Sequence, residues 1–330
     1  MREDTGRRER GEGPSGPSPL RSSPGPASRR HLLSAQRRFG WWLLLPSLIM
    51  LAANSIFPLL YAVGVSTKAY QMLIPGPRRF VGLANYIQAL QDPLVWHSLA
   101  VTLYFVGGVL VLQFPAGLGL ALLLHRLPRR QELVATLLLI PTILSASVVG
   151  FQWVQLYNYE FGPLNYLLAL LHLGQPTWTA DPHLALPALI FVDFWEWTPF
   201  MTLLLFAGLR SLPPQIVDAA RVDGSTPWQV VWRVFLPLLR PIIGIALILR
   251  IIMAFKLFDI VYVLTAGGPG IATESLAFYT YIQGFRYFNM GYASALSILQ
   301  LILITILAKL LLRLTRRPPI GGFIPQEAPL

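Results

Sequence analysis

The chain has 330 residues, of which 54% are hydrophobic and only 12% are charged. Soluble domains usually have about 25% charged residues, so this composition predicts an integral membrane protein. The absence of cysteine excludes disulfides, thiolate nucleophiles and thiolate metal sites. No histidine pair has the H-E-x-x-H spacing of a zinc hydrolase, and no lysine follows a glycine, so the chain carries no Gly-Lys-Ser/Thr phosphate loop.

Residues 1–40 are rich in Arg, Pro, Gly and Ser and almost free of aromatic side chains. Such a composition predicts a disordered tail that buries no core. Its nine arginines are open to two interpretations. They bind anionic lipid or nucleic acid, or they hold this end of the chain in the cytoplasm; the positive-inside rule favours the second. Residues 315–330 are predicted to form a second cytoplasmic tail.

Six apolar segments lie between these tails, each near the roughly 20 residues that cross a bilayer. Several contain proline, which kinks a membrane helix and suits a bundle with a cavity or moving parts. The sequence therefore predicts an all-α integral membrane domain of six transmembrane helices over residues 41–314. The segments are Trp41–Ser66, Ser98–His125, Leu133–Tyr157, Leu184–Leu209, Pro241–Leu264 and Gly291–Leu312.

The distribution of basic residues supports this count. Six crossings place both termini and the even-numbered loops on one side of the membrane. Of the 26 lysines and arginines, 20 lie on that side and four lie in the opposite loops. Because basic residues accumulate on the cytoplasmic side, we expect a multi-pass protein of the cell (inner) membrane with both termini in the cytoplasm.

The loop between the fourth and fifth segments, at about residues 211–240, predicts a helix–turn–helix. Ser211 is the predicted N-cap, and Pro213 or Pro214 lies in the first turn. The helix is expected to run to about Val222 and to end at Gly224, because glycine accepts the positive φ of a tight exit.

A second short helix is predicted after this turn. Ser225 or Thr226 is its expected cap, with Pro227 in the first turn. An apolar stripe at helical spacing follows, and Pro237 and Pro241 are expected to lead into the next span. The residues of the stripe are Trp228, Val231, Trp232 and Phe235.

A short, rigid helix on the cytoplasmic face suits docking into a groove of a soluble partner. Ala219 and Ala220 permit close approach of the two backbones. Asp218 and Arg221 are positioned to make polar contacts at the rim.

The same stretch resembles the EAA signature of permease subunits of binding-protein-dependent ABC importers, which reads E-A-A-x-x-x-G and, after nine residues, I-x-L-P. One departure is that Asp218 stands where glutamate is usual. The resemblance implies that this loop contacts the ATPase. Asp223, next to Gly224 in the first part of the signature, is included among the expected contact residues. The matching and contact residues are Asp218, Ala219, Ala220, Arg221, Asp223, Gly224, Val234, Leu236 and Pro237.

Further strings, within about residues 40–314, resemble the first-permease type of the carbohydrate and glycerol-phosphate branch of this family. They follow the first span, the fifth span and the start of the sixth. They are Phe80–Tyr86 (F-V-G-L-A-N-Y), Leu264–Pro269 (L-T-A-G-G-P) with Thr273–Glu274, and Gly291–Ala295 (G-Y-A-S-A).

The resemblance implies a type I ABC importer transmembrane domain that translocates a sugar or a related solute. It implies a second homologous permease, two cytoplasmic ATPase subunits that bind ATP and Mg²⁺, an extracytoplasmic solute-binding protein and surrounding lipid. The chain itself is expected to be no enzyme and to bind no cofactor, metal or nucleic acid.

Intramembrane ionisable residues are the candidates for a substrate pathway, because they usually face a cavity or a charged partner. Asp193 and Glu196 stand three apart in the fourth span beside Trp195, and Lys256 and Asp259 stand three apart in the fifth. Sugar recognition needs such polar groups together with apolar faces. Ion pairing between helices is the alternative. The candidate pathway residues are Asp193, Trp195, Glu196, Lys256, Phe258 and Asp259.

Two other classes of function remain to be weighed. A self-contained, ion-coupled secondary transporter would use the intramembrane acids, but it leaves the helix–turn–helix unexplained. A polytopic membrane enzyme would need a catalytic constellation, and the sequence contains none.

Overall fold

The computed structural model of the chain describes residues 42–76, 78–127 and 131–315. The predicted tails therefore lie outside the described residues, apart from Thr315. The chain divides into two units, Met1–Leu59 and Leu60–Leu330. The described part of the first, residues 42–59, is helical and mostly apolar. The second unit contains the sites discussed below.

The described residues are mainly helical, as the composition predicts. A two-stranded antiparallel sheet pairs β1 (Lys68–Ala69) with β2 (Arg79–Phe80). The helices are α1 (Trp42–Ser66), α2 (Ala84–Gln91), α3 (Pro93–His125), α4 (Gln131–Leu138), α5 (Ile140–Ile143), α6 (Ala146–Leu156), α7 (Pro163–Leu170), α8 (Pro182–Arg210), α9 (Pro214–Val222), α10 (Pro227–Ala254), α11 (Asp259–Leu264), α12 (Leu276–Tyr281) and α13 (Met290–Thr315).

Five helices in the described residues are long and apolar enough to cross a membrane: α1, α3, α8, α10 and α13. The third predicted span, Leu133–Tyr157, is not one helix but three short ones, α4 to α6. Pro141 accounts for the interruption, because it lacks an N–H and its ring conflicts with a continuing helix. The backbone then becomes extended at Leu144 and Ser145. The third of the six predicted crossings therefore stays a prediction.

The fifth predicted span, Pro241–Leu264, is also wrong in its bounds. Helix α10 begins at Pro227, so the second helix of the predicted hairpin and the fifth span are one continuous helix. It ends at Ala254, and the chain resumes as α11 at Asp259. Lys256 and Asp259 consequently do not share a helix.

Helix α10 passes through Pro237 because a π-helical turn, Val230–Phe235, lies just before it. In this turn the N–H of Leu236 donates to the carbonyl of Val231, five residues back. The wider turn lets the proline, which has no N–H, be accommodated without ending the helix. Helix α1 has the same arrangement, with a π turn at Ala52–Ile56 before Pro58.

Helices α3 and α8 form the most extensive pairing in the second unit. One apolar core lies between these helices and α6, α11 and α12, around Phe105 and Leu189. Another lies toward their C-terminal ends, where Leu205 and Leu209 pack with Phe235 of α10. The second core supports the region from which α9 projects.

The strings Phe80–Tyr86 and Gly291–Ala295 pack on the end of the first span. Asn85 donates from Nδ2 to the carbonyls of Ser66, at 2.7 Å, and Lys68, at 3.0 Å. Gly291 donates to the carbonyl of Tyr70 at 3.0 Å. These contacts give both strings a structural role in joining α1, the sheet and α13.

Candidate functional site

A helix, a turn and a second helix form where the sequence predicts them, but the second helix is continuous with the next span, and the predicted cap of the first is wrong. Helix α9 runs Pro214–Val222, and Gly224 follows with a φ of +78°. Ser211 is not its N-cap: it ends α8, and its hydroxyl donates to the carbonyl of Gly208 at 2.7 Å. Pro213 occupies the cap position of α9, since a proline needs no capping partner for its missing N–H.

Thr226 caps α10 in a reciprocal capping box with Gln229. The backbone N–H of Gln229 donates to the Thr226 hydroxyl at 3.3 Å, and the backbone N–H of Thr226 donates to Oε1 of Gln229 at 2.9 Å. This box fixes the start of α10 immediately after the Gly224 turn. The turn is therefore held at both ends by local hydrogen bonds.

The tip of the hairpin is exposed in the described chain. Val222 is 88% exposed, although it is apolar. Asp218 and Arg221 are also exposed and lie 3.5 Å apart, a pair that contributes little to stability because water screens it. An exposed apolar tip with available polar groups suits a contact with another protein.

The apolar stripe at the start of α10 divides between two surroundings. Val231 and Phe235 are buried in the core below the hairpin. Trp228 and Trp232 are 68% and 55% exposed, and their rings meet edge to face with centroids 5.5 Å apart.

A buried polar cluster joins three of the long helices. Arg250 of α10 forms an ion pair with Asp193 of α8. Arg250 Nε also donates to Oε1 of Gln113, in α3, at 2.7 Å. Gln113 Nε2 donates to Asp193 Oδ2 at 2.9 Å, which closes the triangle. Arg250 is only 1% exposed, so its charge is neutralised within the protein.

This cluster includes two residues, Gln113 and Arg250, that the candidate list omits. Arg250 carries a sequence signal, because an arginine inside a span requires an acidic partner. Asp193 and Glu196 are the acids in the neighbouring span. Gln113 has no comparable signal, since only packing brings it to the pair.

A cavity of about 210 Å³ lies next to the cluster. Four of the candidate pathway residues line it: Asp193, Lys256, Phe258 and Asp259. The last three lie in or beside the break between α10 and α11. Aromatic faces complete the wall. The further lining residues are Phe105, Ala146, Trp197, Arg250, Met253, Ala254, Leu257 and Ile260.

The other two candidates do not line this cavity. Trp195 packs edge-on against Trp153 with ring centroids 5.7 Å apart, as a packing role requires. Glu196 is 1% exposed, and among the described residues its Oε2 is a buried oxygen without a hydrogen-bond partner. Its proximity to Asp193 along α8 is confirmed, but a contact with the cavity is not observed.

The string Leu264–Pro269 forms a turn closed by its own hydrogen bonds. Thr273 Oγ1 donates to the carbonyl of Gly268 at 2.7 Å and lies 2.7 Å from Thr265 Oγ1. These contacts give the turn a clear role in ending α11.

Comparison with known proteins places these features in a family. The model of the binding-protein-dependent transport system inner membrane component matches residues 41–317. The trehalose/maltose transport system permease protein MalF of Thermococcus litoralis is 37% identical over 82% of this chain and 90% of its own length. The trehalose transport system permease protein SugA of Mycobacterium tuberculosis is 34% identical over 89% of this chain and 94% of its own.

A third relative is the sulfoquinovosyl glycerol transport system permease protein SmoG of Agrobacterium fabrum, 34% identical over 83% of this chain and 89% of its own. Among solved structures, a chain of a bacterial ABC transporter involved in the import of the acidic polysaccharide alginate superposes with a TM-score of 0.74. The two chains are 21% identical, and the superposition covers 88% of this chain and 99% of the alginate-transporter chain. The similarity shows a shared fold. The chain therefore belongs to the family of binding-protein-dependent transport system inner membrane components, as a transmembrane permease of the ABC importer type.

Proposed function

We propose that this chain is the first permease subunit of an importer that carries a sugar or a related solute across the cell membrane. The exposed hairpin of α9, the Gly224 turn and the start of α10 is the observation that carries the proposal. Its base is held by a buried core and a capping box, and its tip is exposed. Such a projection transmits force between a membrane bundle and a soluble partner.

The proposed partner set is the one that the family resemblance implies. No Gly-Lys-Ser/Thr phosphate loop occurs in the sequence, so ATP and Mg²⁺ are bound by separate ATPase subunits. Two such subunits, a second homologous permease and an extracytoplasmic solute-binding protein complete the assembly. ATP binding closes the ATPase pair, and the hairpin converts that closure into alternating access of the membrane bundle.

The hairpin contact is assigned to the residues that match the EAA signature. Asp218 and Arg221 supply exposed charges, and the small side chains beside them permit close approach. Leu236 and Pro237 follow the π turn and set the direction in which α10 enters the membrane. The full set is Asp218, Ala219, Ala220, Arg221, Asp223, Gly224, Leu236 and Pro237.

Six crossings with both termini in the cytoplasm remain our proposed topology. Helices α4 to α6 would together form the third crossing, broken at Pro141 and Ser145. The 20-to-4 distribution of basic residues supports it, because five crossings would scatter these residues on both sides.

The 210 Å³ cavity is the proposed part of the substrate pathway in this subunit. Lys256 and Asp259 offer hydrogen-bonding groups, and Phe258 and Trp197 offer flat apolar faces, a combination that suits a sugar. The ion pair with Arg250 makes Asp193 a wall of this cavity rather than a free binding group. The relatives named for trehalose, maltose and sulfoquinovosyl glycerol transport support the solute class.

Replacement of Gly224 tests the coupling role. The φ of +78° is disfavoured for residues with a β-branched side chain, whereas no atom lies within 4 Å of an added Cβ. Gly224→Val should therefore distort the turn without a steric clash. We expect ATPase activity in the reconstituted complex to lose its stimulation by substrate, and uptake to fall by about tenfold or more, since the strain is on the order of 1–2 kcal/mol.

Gly224→Asn is the matched control, because asparagine tolerates a left-handed backbone. It should retain most uptake and most stimulation. Normal coupled uptake by the Gly224→Val complex would show that the turn does not transmit the motion.

A further inference from the structure

A groove runs beside the hairpin, between the last turn of α3, helix α9 and the first turns of α10. Its volume is about 400 Å³. The rim carries His125, Arg126 and Arg221, and the floor is formed by Val217, Val231 and Phe235. We call this feature the basic groove.

The floor of the basic groove is apolar and is formed by α9 together with the start of α10. Val231 and Phe235 are buried, and the ring of His125 meets Phe235 edge to face with centroids 6.1 Å apart. His125 is the last residue of the membrane-spanning helix α3. The groove therefore opens at the end of a helix that is long and apolar enough to cross the membrane.

The rim of the basic groove carries an excess of positive charge. Arg126 and Arg221 are both exposed, and no lining residue among those described is acidic. Asp218 lies beside Arg221 at 3.5 Å, but both side chains are about 70% exposed, so water weakens this pair. Arg221 remains able to engage a stronger anion.

The tryptophan pair of α10 gives an independent indication of depth. Trp228 and Trp232 are exposed within the first turns of the helix that also lines the groove. Exposed tryptophans accumulate where lipid headgroups meet the hydrocarbon region. This tendency is consistent with rim arginines that reach lipid phosphates.

We propose that the basic groove binds one anionic phospholipid of the cytoplasmic leaflet, with its phosphate at Arg126 and Arg221 and the start of an acyl chain on the apolar floor. The orientation rests on the proposed function, which puts this end of α3 in the cytoplasm. A basic pocket between membrane helices on that side is the arrangement that binds anionic headgroups. Arg221, which the proposed function includes in the ATPase contact, would face the lipid phosphate here, and Asp218, which does not line the groove, stays available to the ATPase. An acidic side chain of the ATPase at the rim would leave the apolar floor uncovered.

The lipid would lie against the hairpin that the ATPase engages. Because Arg221 belongs to α9 and Arg126 to α3, one phosphate would bridge the hairpin to the membrane bundle. Anionic lipid would thus brace the hairpin against the force that it transmits.

Lipid retention by the complete importer tests the proposal. The complex would be prepared in nanodiscs containing equal amounts of phosphatidylglycerol and phosphatidylcholine, and native mass spectrometry would count the lipids retained. We expect one phosphatidylglycerol to be retained in preference to phosphatidylcholine. Arg126→Gln and Arg221→Gln should each weaken that retention about fivefold, the share of one arginine near a lipid surface.

Arg233→Gln is the control, because Arg233 is exposed on the first turns of α10 but does not line the groove. It should retain phosphatidylglycerol as the unchanged chain does. A phosphatidylglycerol with a photoreactive acyl chain should also attach to the peptide that contains Val231. Equal retention of the two lipids, or equal loss in all three variants, would overturn the proposal.

Two outcomes separate this proposal from the proposed function. A complex that imports solute but shows no phosphatidylglycerol preference, or in which the groove cross-links to the ATPase instead of lipid, disproves the lipid site alone. The second outcome combines retained phosphatidylglycerol with a Ser225→Cys residue that can be labelled only from outside the cell. It would uphold lipid binding in the groove, but it would overturn the assigned leaflet and the proposed topology.

Discussion

Arg250 is a charged residue within a membrane-spanning helix, and the structure explains how its cost is met. The guanidinium is paired with Asp193 and hydrogen-bonded to Gln113, with the ring of Trp197 5.5 Å from its Cζ. None of these partners lies on the helix of Arg250: Gln113 lies on α3, and Asp193 and Trp197 lie on α8. A charge that is costly alone thereby ties α3, α8 and α10 together beside the cavity.

Removal of one member of the pair should be far more harmful than removal of both. Asp193→Asn and Arg250→Met each leave a buried charge uncompensated. Each should lower the free energy of unfolding by about 3–5 kcal/mol. The double variant should cost much less than the sum. Thermal unfolding of the purified complex in detergent measures this double-mutant cycle, and additive costs would contradict a coupled pair.

Asp92 is a second polar residue on which several elements converge. Its Oδ2 accepts hydrogen bonds from the hydroxyls of Tyr279, at 2.6 Å, and Tyr292, at 2.7 Å. Its Oδ1 accepts from the Leu94 amide at 2.9 Å, which caps α3. Partial burial acts to raise the pKa of Asp92, but these hydrogen bonds outweigh it and hold the pKa below its ordinary value of 3.8.

The lowered pKa predicts a stability difference that depends on pH. A depressed folded-state pKa means that ionised Asp92 stabilises the fold above its unfolded-state pKa, and that this contribution is lost as the pH falls through the folded-state value. Asp92→Asn should therefore lower the melting temperature at pH 7, and the difference from the unchanged chain should shrink below pH 3.8.

Asparagine keeps the N-cap, so the comparison tests the charge together with the oxygen that accepts from the two tyrosine hydroxyls. Melting temperatures of both complexes across a pH series are the measurement. A difference that stays constant down to acid pH would contradict the assignment.

Short elements acquire their roles from close backbone contacts. Strand β1 and the start of α13 approach so closely that an added Cβ at Gly291 would lie 2.1 Å from the carbonyl oxygen of Lys68. This approach allows the Gly291 amide to bond to Tyr70. The G-Y-A-S-A string therefore reflects packing at this crossing.

Gly291→Ala should force β1 and α13 apart and destabilise the fold by about 1–3 kcal/mol, the usual cost of overpacking. Gly119→Ala in α3 is the control, because nothing lies within 4 Å of its added Cβ. That substitution should be neutral or slightly stabilising. Thermal unfolding distinguishes the two, and equal melting temperatures would show that the contact has no energetic weight.

The π turn before Pro237 shows how an element can depart from its local signals. Pro237 and Pro241 are expected to lead from a short second helix into the next span. The hydrogen-bond register shifts by one residue instead, and the helix continues from the hairpin to Ala254. The hairpin and the membrane bundle thereby share one helix, which runs from Pro227 to Ala254, a residue that lines the cavity.

At the scale of the whole molecule, the number of crossings is the open property. The absence of cysteine makes it directly measurable, because single cysteines can be introduced without background. Leu127 precedes the third predicted span and Ala180 follows it, and both are exposed. With six crossings these positions lie on opposite sides of the membrane; without the third crossing they lie on the same side.

We expect Leu127→Cys to react with an impermeant maleimide only from the cytoplasmic side and Ala180→Cys only from outside. Right-side-out cells and inverted vesicles provide the two exposures. Ser225→Cys in the hairpin should match Leu127→Cys. Labelling of Leu127→Cys and Ala180→Cys from one side would remove the third crossing.

The sequence by itself determined the membrane class, the family resemblance and the site of the hairpin. These depend on composition and on local signals: apolar segments, the turn at Gly224 and a cap at Thr226. Only the tertiary structure decided that Leu133–Tyr157 is three short helices, that Gln113 completes the Arg250 pair, and which candidate residues share a cavity. Such features arise from packing between segments far apart in the chain, where neither hydropathy nor periodicity specifies the partner.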